Sequence, residues 1–363
     1  MSIRRQPSRA LVLATLLGMM GGAAASTLNQ NTSWTLQRPG ASSTYRIVAY
    51  GDSIYAGYNG SFTSVARRSA PLVEGEYLST LWGANLEVVR RTKSGARADD
   101  VYQNKILAEK SYMQASSTRV VAFEMCGNDY LQARSVFQAQ TGTCSYAGLD
   151  AALAHCTTYL EKAMQTINQY ATSARLKLVS NLYYPGFAAD DVLTRCTDST
   201  TGSRINRRSK FLPYLAHSNW RTCHLAQQYG FQCADAFAEF MGADYDSNGD
   251  GQIDRDALRY QPGESEADYV TRITQTLVGT LRDAHTHYVD SSISYDYIQS
   301  DDTHPTAYSS ATIGVSLLTG SGSGSGAPDF SDADITQGRN PQWNKQGHER
   351  LGWLNSLFNP STP

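Results

Sequence analysis

The chain has 363 residues, of which 41% are hydrophobic and 18% are charged, a balance typical of a folded protein rather than a disordered one. Its formal net charge is −2, which becomes −5 if the first 25 residues, with three arginines and no acidic residue, are removed. This balance argues against the basic surface that a nucleic-acid partner or docking on anionic lipid requires.

Residues 1–25 have the three parts of a secretory signal peptide. Arg4, Arg5 and Arg9 precede an apolar run that is too short to remain as a membrane-spanning helix, and small residues ending at Ala25 follow it. We therefore expect cleavage near Ala25 and a secreted or periplasmic protein without a stable membrane anchor.

Short apolar runs alternate with longer amphipathic segments after a polar leader at residues 26–44. The apolar runs are rich in Val, Ile and Tyr and predict buried parallel strands, at 46–50, 86–89, 119–125, 176–182 and 231–234. The amphipathic segments predict helices near 67–82, 98–110, 148–172 and 208–228. This alternation predicts one α/β domain over residues 45–363, with three α/β/α layers around a mostly parallel five-stranded sheet.

Two segments interrupt the alternation, an acidic loop at 246–257 and a segment at 307–342 whose Gly and Ser content makes it flexible by composition. We interpret both as insertions in a single domain.

An even number of cysteines follows the signal peptide, which in an exported chain indicates structural disulfides. No two of them have the C-x-x-C spacing of zinc or redox sites, and the sequence leaves their pairing open. The six are Cys126, Cys144, Cys156, Cys196, Cys223 and Cys233.

Four short motifs occur in a fixed order along the chain. Gly51-Asp52-Ser53 follows the first predicted strand, Gly95 follows the second, and Gly127-Asn128 follows the third. His304 lies near the C-terminus, with Asp301 three positions before it. Together these blocks resemble the SGNH hydrolase family, also called GDSL-type esterases and lipases, over about residues 45–305 and the last helix.

The resemblance implies a flavodoxin-like fold and a serine hydrolase mechanism that needs no catalytic cofactor. Ser53 would attack an ester carbonyl, His304 would act as its base, and Asp301 would orient the imidazole. The backbone N–H groups of Ser53 and Gly95 and the side-chain amide of Asn128 would stabilise the oxyanion.

The sequence departs from the family pattern at three points. Ile54 replaces the usual leucine after the nucleophile, Cys126 precedes Gly127 and would stiffen the oxyanion loop if it forms a disulfide, and the 307–342 insertion separates His304 from the last helix. This insertion is either a lid or substrate wall, or an inert loop, and Asp302 remains an alternative to Asp301. An α/β-hydrolase is excluded because no serine has glycine at both −2 and +2.

The predicted function is a secreted serine carboxylic-ester hydrolase, acting as a monomer through an acyl-enzyme on acylated carbohydrates or small soluble esters. A lipase or phospholipase of the same family is one alternative. A non-catalytic, calcium-stabilised carbohydrate-binding module is another, and acyl transfer to an acceptor other than water stays open.

The acidic loop matches the front half of an EF-hand-type calcium loop. Side-chain oxygens at alternate positions would hold a structural Ca²⁺, although Ala257 occupies the twelfth position, where a bidentate acid is expected. The alternative is a solvated acidic loop. The candidate ligands are Asp246, Asn248, Asp250, Gln252 and Asp254. We interpret a second group as exposed residues near a helix end rather than a metal site: Asp283, His285, His287 and Asp290.

Overall fold

The computed structural model describes residues 30–61, 64–66, 69–184, 192–242, 249, 251, 254–282, 288–290, 293–295, 297–299, 303, 305 and 347–363. The predicted signal peptide at 1–25, the catalytic candidates Asp301 and His304, and the predicted insertion at 307–342 lie outside these residues. Those predictions therefore stay predictions.

The described strands and helices alternate through most of the chain. The strands are β1 (Thr32–Leu36), β2 (Thr44–Gly51), β3 (Tyr58–Ser61), β4 (Ser64–Val65), β5 (Asn85–Thr92), β6 (Thr118–Phe123), β7 (Gly142–Thr143), β8 (Leu176–Ser180), β9 (Val192–Thr197), β10 (Arg204–Asn206), β11 (Gln232–Ala234), β12 (Tyr288–Asp290) and β13 (Ile293–Tyr295). The helices are α1 (Ser53–Ala56), α2 (Ala70–Trp82), α3 (Ala98–Asp100), α4 (Ser111–Gln114), α5 (Gly127–Ala139), α6 (Ala147–Tyr170), α7 (Arg207–Tyr229), α8 (Ala236–Met241), α9 (Asp254–Leu258), α10 (Glu266–Thr271) and α11 (Gly347–Ser356). Short π-helical segments extend α3 (Val101–Leu107) and α10 (Arg272–Thr276), and a 3₁₀ turn follows (Val278–Thr280).

The central sheet has the order β1-β5-β2-β6-β8-β11. Its strands from β5 to β11 are all parallel, and they are the five strands that the sequence predicts. Numbered along the chain, these five lie in the order 2-1-3-4-5, which is the flavodoxin-like arrangement. The predicted α/β class with a mostly parallel sheet is confirmed.

A sixth strand, β1, extends the sheet beyond the five that we predicted. It pairs antiparallel with β5 from Thr32↔Arg90 to Leu36↔Leu86. This strand lies in the segment 26–44 that we interpreted as a polar leader. The difference arises because only Leu36 of this edge strand is buried, so its sequence carries a weak apolar pattern.

Helices cover both faces of the sheet because alternate side chains of each strand point to opposite sides. On β2, Val48 and Tyr50 pack in one buried cluster with residues of α5, α6 and α7. Ile47 and Ala49 pack in a second cluster with residues of α2, α8 and α11. The sheet and the helices packed on it through these two clusters form the three layers that the alternation of strands and helices predicts.

The last helix begins beside the residue that follows His304. A Cβ placed on Gly347 would lie 2.7 Å from the Cβ of Pro305, so only a residue without a side chain fits at the start of α11. Pro305 and Gly347 therefore lie next to each other, although 42 positions separate them in the sequence.

A buried polar network holds α11 against α2 and the sheet. The Asn355 side-chain amide donates to the Tyr55 hydroxyl at 3.0 Å and to Glu74 Oε2 at 3.1 Å. The Tyr55 and Ser180 hydroxyls share a hydrogen bond of 2.8 Å. Burial raises the pKa of Glu74 from its ordinary value of 4.5 to about 8. The Glu74 carboxyl is therefore neutral in the folded protein at neutral pH.

We predict that Glu74 makes the protein less stable as the pH rises. Between pH ~4.5 and ~8 the unfolded chain releases the Glu74 proton and the folded chain keeps it, so the free energy of unfolding falls through this window. Glu74→Gln should remove that contribution, which is on the order of a few kcal/mol. Urea unfolding of the wild type and of Glu74→Gln at pH 5 and pH 8.5 checks this, and the comparison of the two proteins at pH 5 is the internal control. An equal loss of stability with pH in both proteins would contradict it.

Candidate active site

The carboxyl ends of β2, β5 and β6 meet where the order of the sheet reverses. Because β2 lies between β5 and β6, the chain leaves β2 in one direction and later returns on its other side. Ligand sites of open α/β sheets form in the crevice at such a point. Ser53, Gly95 and Asn128 each follow one of these three strands, as the sequence predicts.

The turn between β2 and α1 presents Ser53. Asp52 caps α1, and its Oδ1 accepts a hydrogen bond of 2.9 Å from the backbone N–H of Ile54. The Ser53 hydroxyl lies 3.5 Å from the same oxygen. Asp52 and Ser53 are only 1% and 6% exposed, so the predicted nucleophile lies in a turn whose geometry is fixed by buried hydrogen bonds.

Asn128 connects the Ser53 turn to the Gly95 loop. Its side-chain amide nitrogen donates to Asp52 Oδ2 at 2.9 Å and to the Ala96 carbonyl at 3.0 Å. These bonds use both hydrogens of the amide. The structure thus brings Asn128 and Ser53 together, with the predicted oxyanion donor held by two protein acceptors.

The loop after β5 adopts a conformation that favours glycine at position 95. Gly95 has φ +79°, in the left-handed region that residues with a side chain rarely adopt. The Lys93 N–H donates to the Gly51 carbonyl at 3.0 Å, and the Ala96 N–H donates to the Lys93 carbonyl at 3.1 Å. Gly95 therefore lies between Lys93, which is hydrogen-bonded to the residue before the Asp52–Ser53 turn, and Ala96, which is hydrogen-bonded to Asn128.

Asp129 is a site residue that the sequence analysis missed. Its buried carboxylate accepts the Ala98 N–H at 2.9 Å and Arg97 Nε at 3.2 Å, and it contacts His155 Nδ1 at 2.6 Å. Asp129 and Asn128 thus both hold the loop after Gly95, Asp129 at residues 97 and 98 and Asn128 at Ala96. The available signal was the acid directly after Gly127-Asn128, which by itself is also an ordinary turn sequence.

A cavity of about 70 Å³ opens beside Ser53, and its walls are mostly apolar. Asp52, Ser53 and Asn128 line it. Its lining also includes Ile54, Gly127, Tyr130, Leu131, Arg134, Leu182, Tyr183, Tyr184, Phe211, Leu215 and Thr303.

Two residues flanking His304 are described, and both are held in place. Thr303 lines the same cavity as Ser53, and its carbonyl accepts a hydrogen bond from the Tyr183 hydroxyl. The Pro305 carbonyl accepts Gln299 Nε2 at 2.6 Å.

Three disulfides join the six cysteines, as Cys126–Cys156, Cys144–Cys196 and Cys223–Cys233. This confirms the expectation of disulfides and supplies the pairing. Cys126 has φ +87°, and it is the only residue besides glycines with positive φ in the described part of the chain. Since Cys126 directly precedes Gly127-Asn128, its disulfide ties the Asn128 turn to α6.

The acidic loop is described at Gly249, Gly251 and Asp254, and its other candidate ligands, Asp246, Asn248, Asp250 and Gln252, lie outside the described residues. Gly249 and Gly251 have φ of +78° and +83°. Within the part that the structure describes, no group of three or more His, Cys, Asp or Glu side chains is arranged to hold a metal ion. The side chains of the group from Asp283 to Asp290 are not described either. No described helix is long and apolar enough to cross a bilayer.

Comparison with known proteins finds similarity among solved structures. No protein-family model and no curated protein matches the chain. A lipase from a goat rumen metagenome aligns with a TM-score of 0.41 and 17% identity, over 65% of this chain and 98% of that one. The extracellular lipase of Streptomyces rimosus aligns with a TM-score of 0.41 and 20% identity, over 65% of this chain and 99% of that one. The phospholipase A1 of Streptomyces albidoflavus aligns with a TM-score of 0.40 and 17% identity, over 65% of this chain and 99% of that one.

We predict that the Cys126–Cys156 disulfide holds Cys126, two residues before Asn128, in its left-handed conformation. The left-handed conformation of a residue with a side chain costs about 1–2 kcal/mol. Cys126 should therefore relax from it when the disulfide is removed. Hydrogen–deuterium exchange of peptides covering 124–131 should accelerate in the Cys126→Ala/Cys156→Ala double variant.

The matched control is the Cys144→Ala/Cys196→Ala double variant. The two disulfides close loops of 30 and 52 residues, for which the chain-entropy account gives similar stability losses of about 3–4 kcal/mol. Equal exchange at 124–131 in the two variants would show that the tether has no local effect.

Proposed function

We propose that the protein is a serine carboxylic-ester hydrolase that acts through an acyl-enzyme on Ser53. The observation that carries this proposal is the hydrogen-bonded unit of Ser53, Asp52 and Asn128, which lines a mostly apolar cavity. A buried serine among oriented donors, next to a space for an acyl group, is the arrangement that acyl transfer needs.

In the proposed reaction the Ser53 hydroxyl attacks the ester carbonyl and gives its proton to His304. The imidazole, oriented by Asp301, then donates that proton to the departing alcohol, and water repeats the sequence on the acyl-enzyme. The position of Thr303 in the cavity wall supports this role for His304, because adjacent residues of a chain lie about 3.8 Å apart at Cα.

The oxyanion would be stabilised by the backbone N–H groups of Ser53 and Gly95 and by Asn128. Because both amide hydrogens of Asn128 have protein acceptors, one must turn toward the developing charge, from Asp52 or from Ala96. Such a donor typically contributes about 10²–10³ in rate.

We favour acylated carbohydrates or small soluble esters as substrates. The cavity beside Ser53, as the described residues bound it, has about 70 Å³, far below the ~300–1,000 Å³ of pockets that enclose drug-sized ligands. This size supports a short acyl group. A lipase or phospholipase is the second candidate, supported by the apolar cavity walls.

We also propose that the protein acts outside the cytoplasm. Three disulfides support an oxidising compartment. The candidate signal peptide at 1–25 would direct export.

Ser53→Ala should lower ester turnover by at least about 10³-fold while the melting temperature stays unchanged, because the variant loses the nucleophile and keeps the fold. The measurement is hydrolysis of p-nitrophenyl esters from acetate to palmitate. We expect the highest kcat/KM on acetate and butyrate; a maximum on long chains would favour a lipase.

The control is Ser111→Ala, which changes an exposed serine at the start of α4 and should keep full activity. Near-normal turnover by Ser53→Ala would refute the nucleophile assignment. A folded wild-type protein that turns over no ester but binds a carbohydrate in the presence of calcium would favour the binding-module alternative.

We further propose that the loop 246–254 binds a structural Ca²⁺. Support comes from Gly251, at the sixth position of the loop, where calcium loops make a sharp turn that requires glycine, and its φ is +83°. Asp254, the ninth position, begins α9.

Chelation should therefore lower the melting temperature, because an ion that binds only the folded chain stabilises it. The measurement is a thermal melt with EDTA and with excess Ca²⁺, on the wild type and on an Asp246→Asn/Asp250→Asn variant. The variant should melt at the lower temperature in both conditions. A wild-type melt that does not respond to EDTA would remove the calcium site.

A further inference from the structure

A second buried carboxyl group, on Glu124, lies beneath the Ser53 turn. Glu124 directly follows β6 and is 5% exposed. Its Oε1 accepts the backbone N–H of Asp52 at 2.6 Å and lies 3.4 Å from that of Tyr55. The carboxyl thus contacts the backbone on both sides of Ser53.

Gly51 makes the space for this carboxyl. A Cβ on Gly51 would collide with Glu124 Oε1, so any other residue at 51 would displace the Glu124 side chain. The glycine before Asp52 and the glutamate after β6 are therefore complementary, although 73 positions separate them in the sequence.

The side chains of Glu124 and Asp52 are also in hydrogen-bonding contact with each other. Two buried carboxyls in contact cannot both be ionised without strong repulsion, so the pair retains one proton. Asp52 is suited to the ionised form because its oxygens accept bonds from the Ile54 N–H and the Asn128 amide. Burial, followed by the charge of Asp52, raises the pKa of Glu124 well above its usual range.

Other titratable groups face this pair from the neighbouring helices. The Tyr55 hydroxyl on α1 is neutral, since burial and then Glu74 raise its pKa. On α5, Asp129 directs its carboxylate to Arg97 and His155. Asp301 and His304 lie outside the described residues.

We propose that Glu124, in its acid form, is a positioning residue for the nucleophile. Its carbonyl oxygen accepts the Asp52 N–H, and its hydroxyl donates to the Asp52 carboxylate. The carboxylate in turn orients Ser53 and Asn128. This inference rests on the proposed function, and the Glu124 proton stays with the pair throughout the reaction.

The test compares Glu124→Gln with Glu124→Met from pH 6 to pH 10.5. Glutamine keeps one acceptor and one donor, so kcat at pH 7 should remain within about threefold of wild type. Methionine has neither, and kcat should fall about 10²-fold with KM little changed, as for a misplaced catalytic group. Wild-type kcat should fall on the alkaline side as Glu124 loses its proton, and Glu124→Gln should lack that fall.

The control is Glu87→Gln, a partly exposed glutamate that pairs with Arg46 on neighbouring strands. It should keep both kcat and the alkaline fall. Equal losses in the Gln and Met variants with normal melting temperatures, or an alkaline fall retained by Glu124→Gln, would overturn the proposal.

Two further readouts separate this proposal from the proposed function. Carboxyl ¹³C NMR should show two Glu signals that titrate well above the normal range, that of Glu74 and a second one that is missing in Glu124→Gln. Without this second signal the inference is wrong whatever the reaction. A fluorophosphonate should label Ser53 at nearly the wild-type rate in Glu124→Gln and much more slowly in Glu124→Met, the same order as for kcat. If labelling follows this order but no ester is hydrolysed, the ester-hydrolase proposal fails and the positioning role holds.

Discussion

The parallel pairing of β2 with β5 on one side and β6 on the other is the constraint on which the site depends. The register aligns Gly51 with Thr92 and Tyr50 with Phe123, so the three strands end at nearly the same level. Loops that leave such ends begin within a few ångströms of each other, because neighbouring strands lie about 4.8 Å apart. The contacts of Asp52, Asn128 and the Gly95 loop follow from this alignment.

Polar groups buried at these strand ends satisfy one another. Asp52, Glu124, Asn128 and Asp129 are each at most 5% exposed, and burial of such groups without partners would cost several kcal/mol. Their hydrogen bonds join three loops into one unit. The left-handed Cys126, tied to α6 by its disulfide, adds a covalent restraint to the same unit.

Two buried glutamates attach the C-terminal helix α11 in opposite protonation states. Burial keeps Glu74 neutral beside Asn355. Burial would also raise the pKa of Glu239, but Arg350, Arg255 and Arg259 outweigh it and lower that pKa, so Glu239 is ionised. Together they fix α11, whose first residue, Gly347, lies beside Pro305.

The sequence by itself determined the α/β class, the five parallel strands and the positions of Ser53, Gly95 and Asn128 after three of them. These features are local, since each depends on the apolar pattern of a few neighbouring residues. It missed α5, whose apolar residues are few and which begins directly in the Cys126-Gly127 turn, and it missed β1 at the edge of the sheet. Only the tertiary structure decided the disulfide pairing and the contacts of Glu124 and Asp129. Asp52 meets Asn128 across 76 positions and Glu124 across 72, and the burial that sets their charges exists only once the strands are paired.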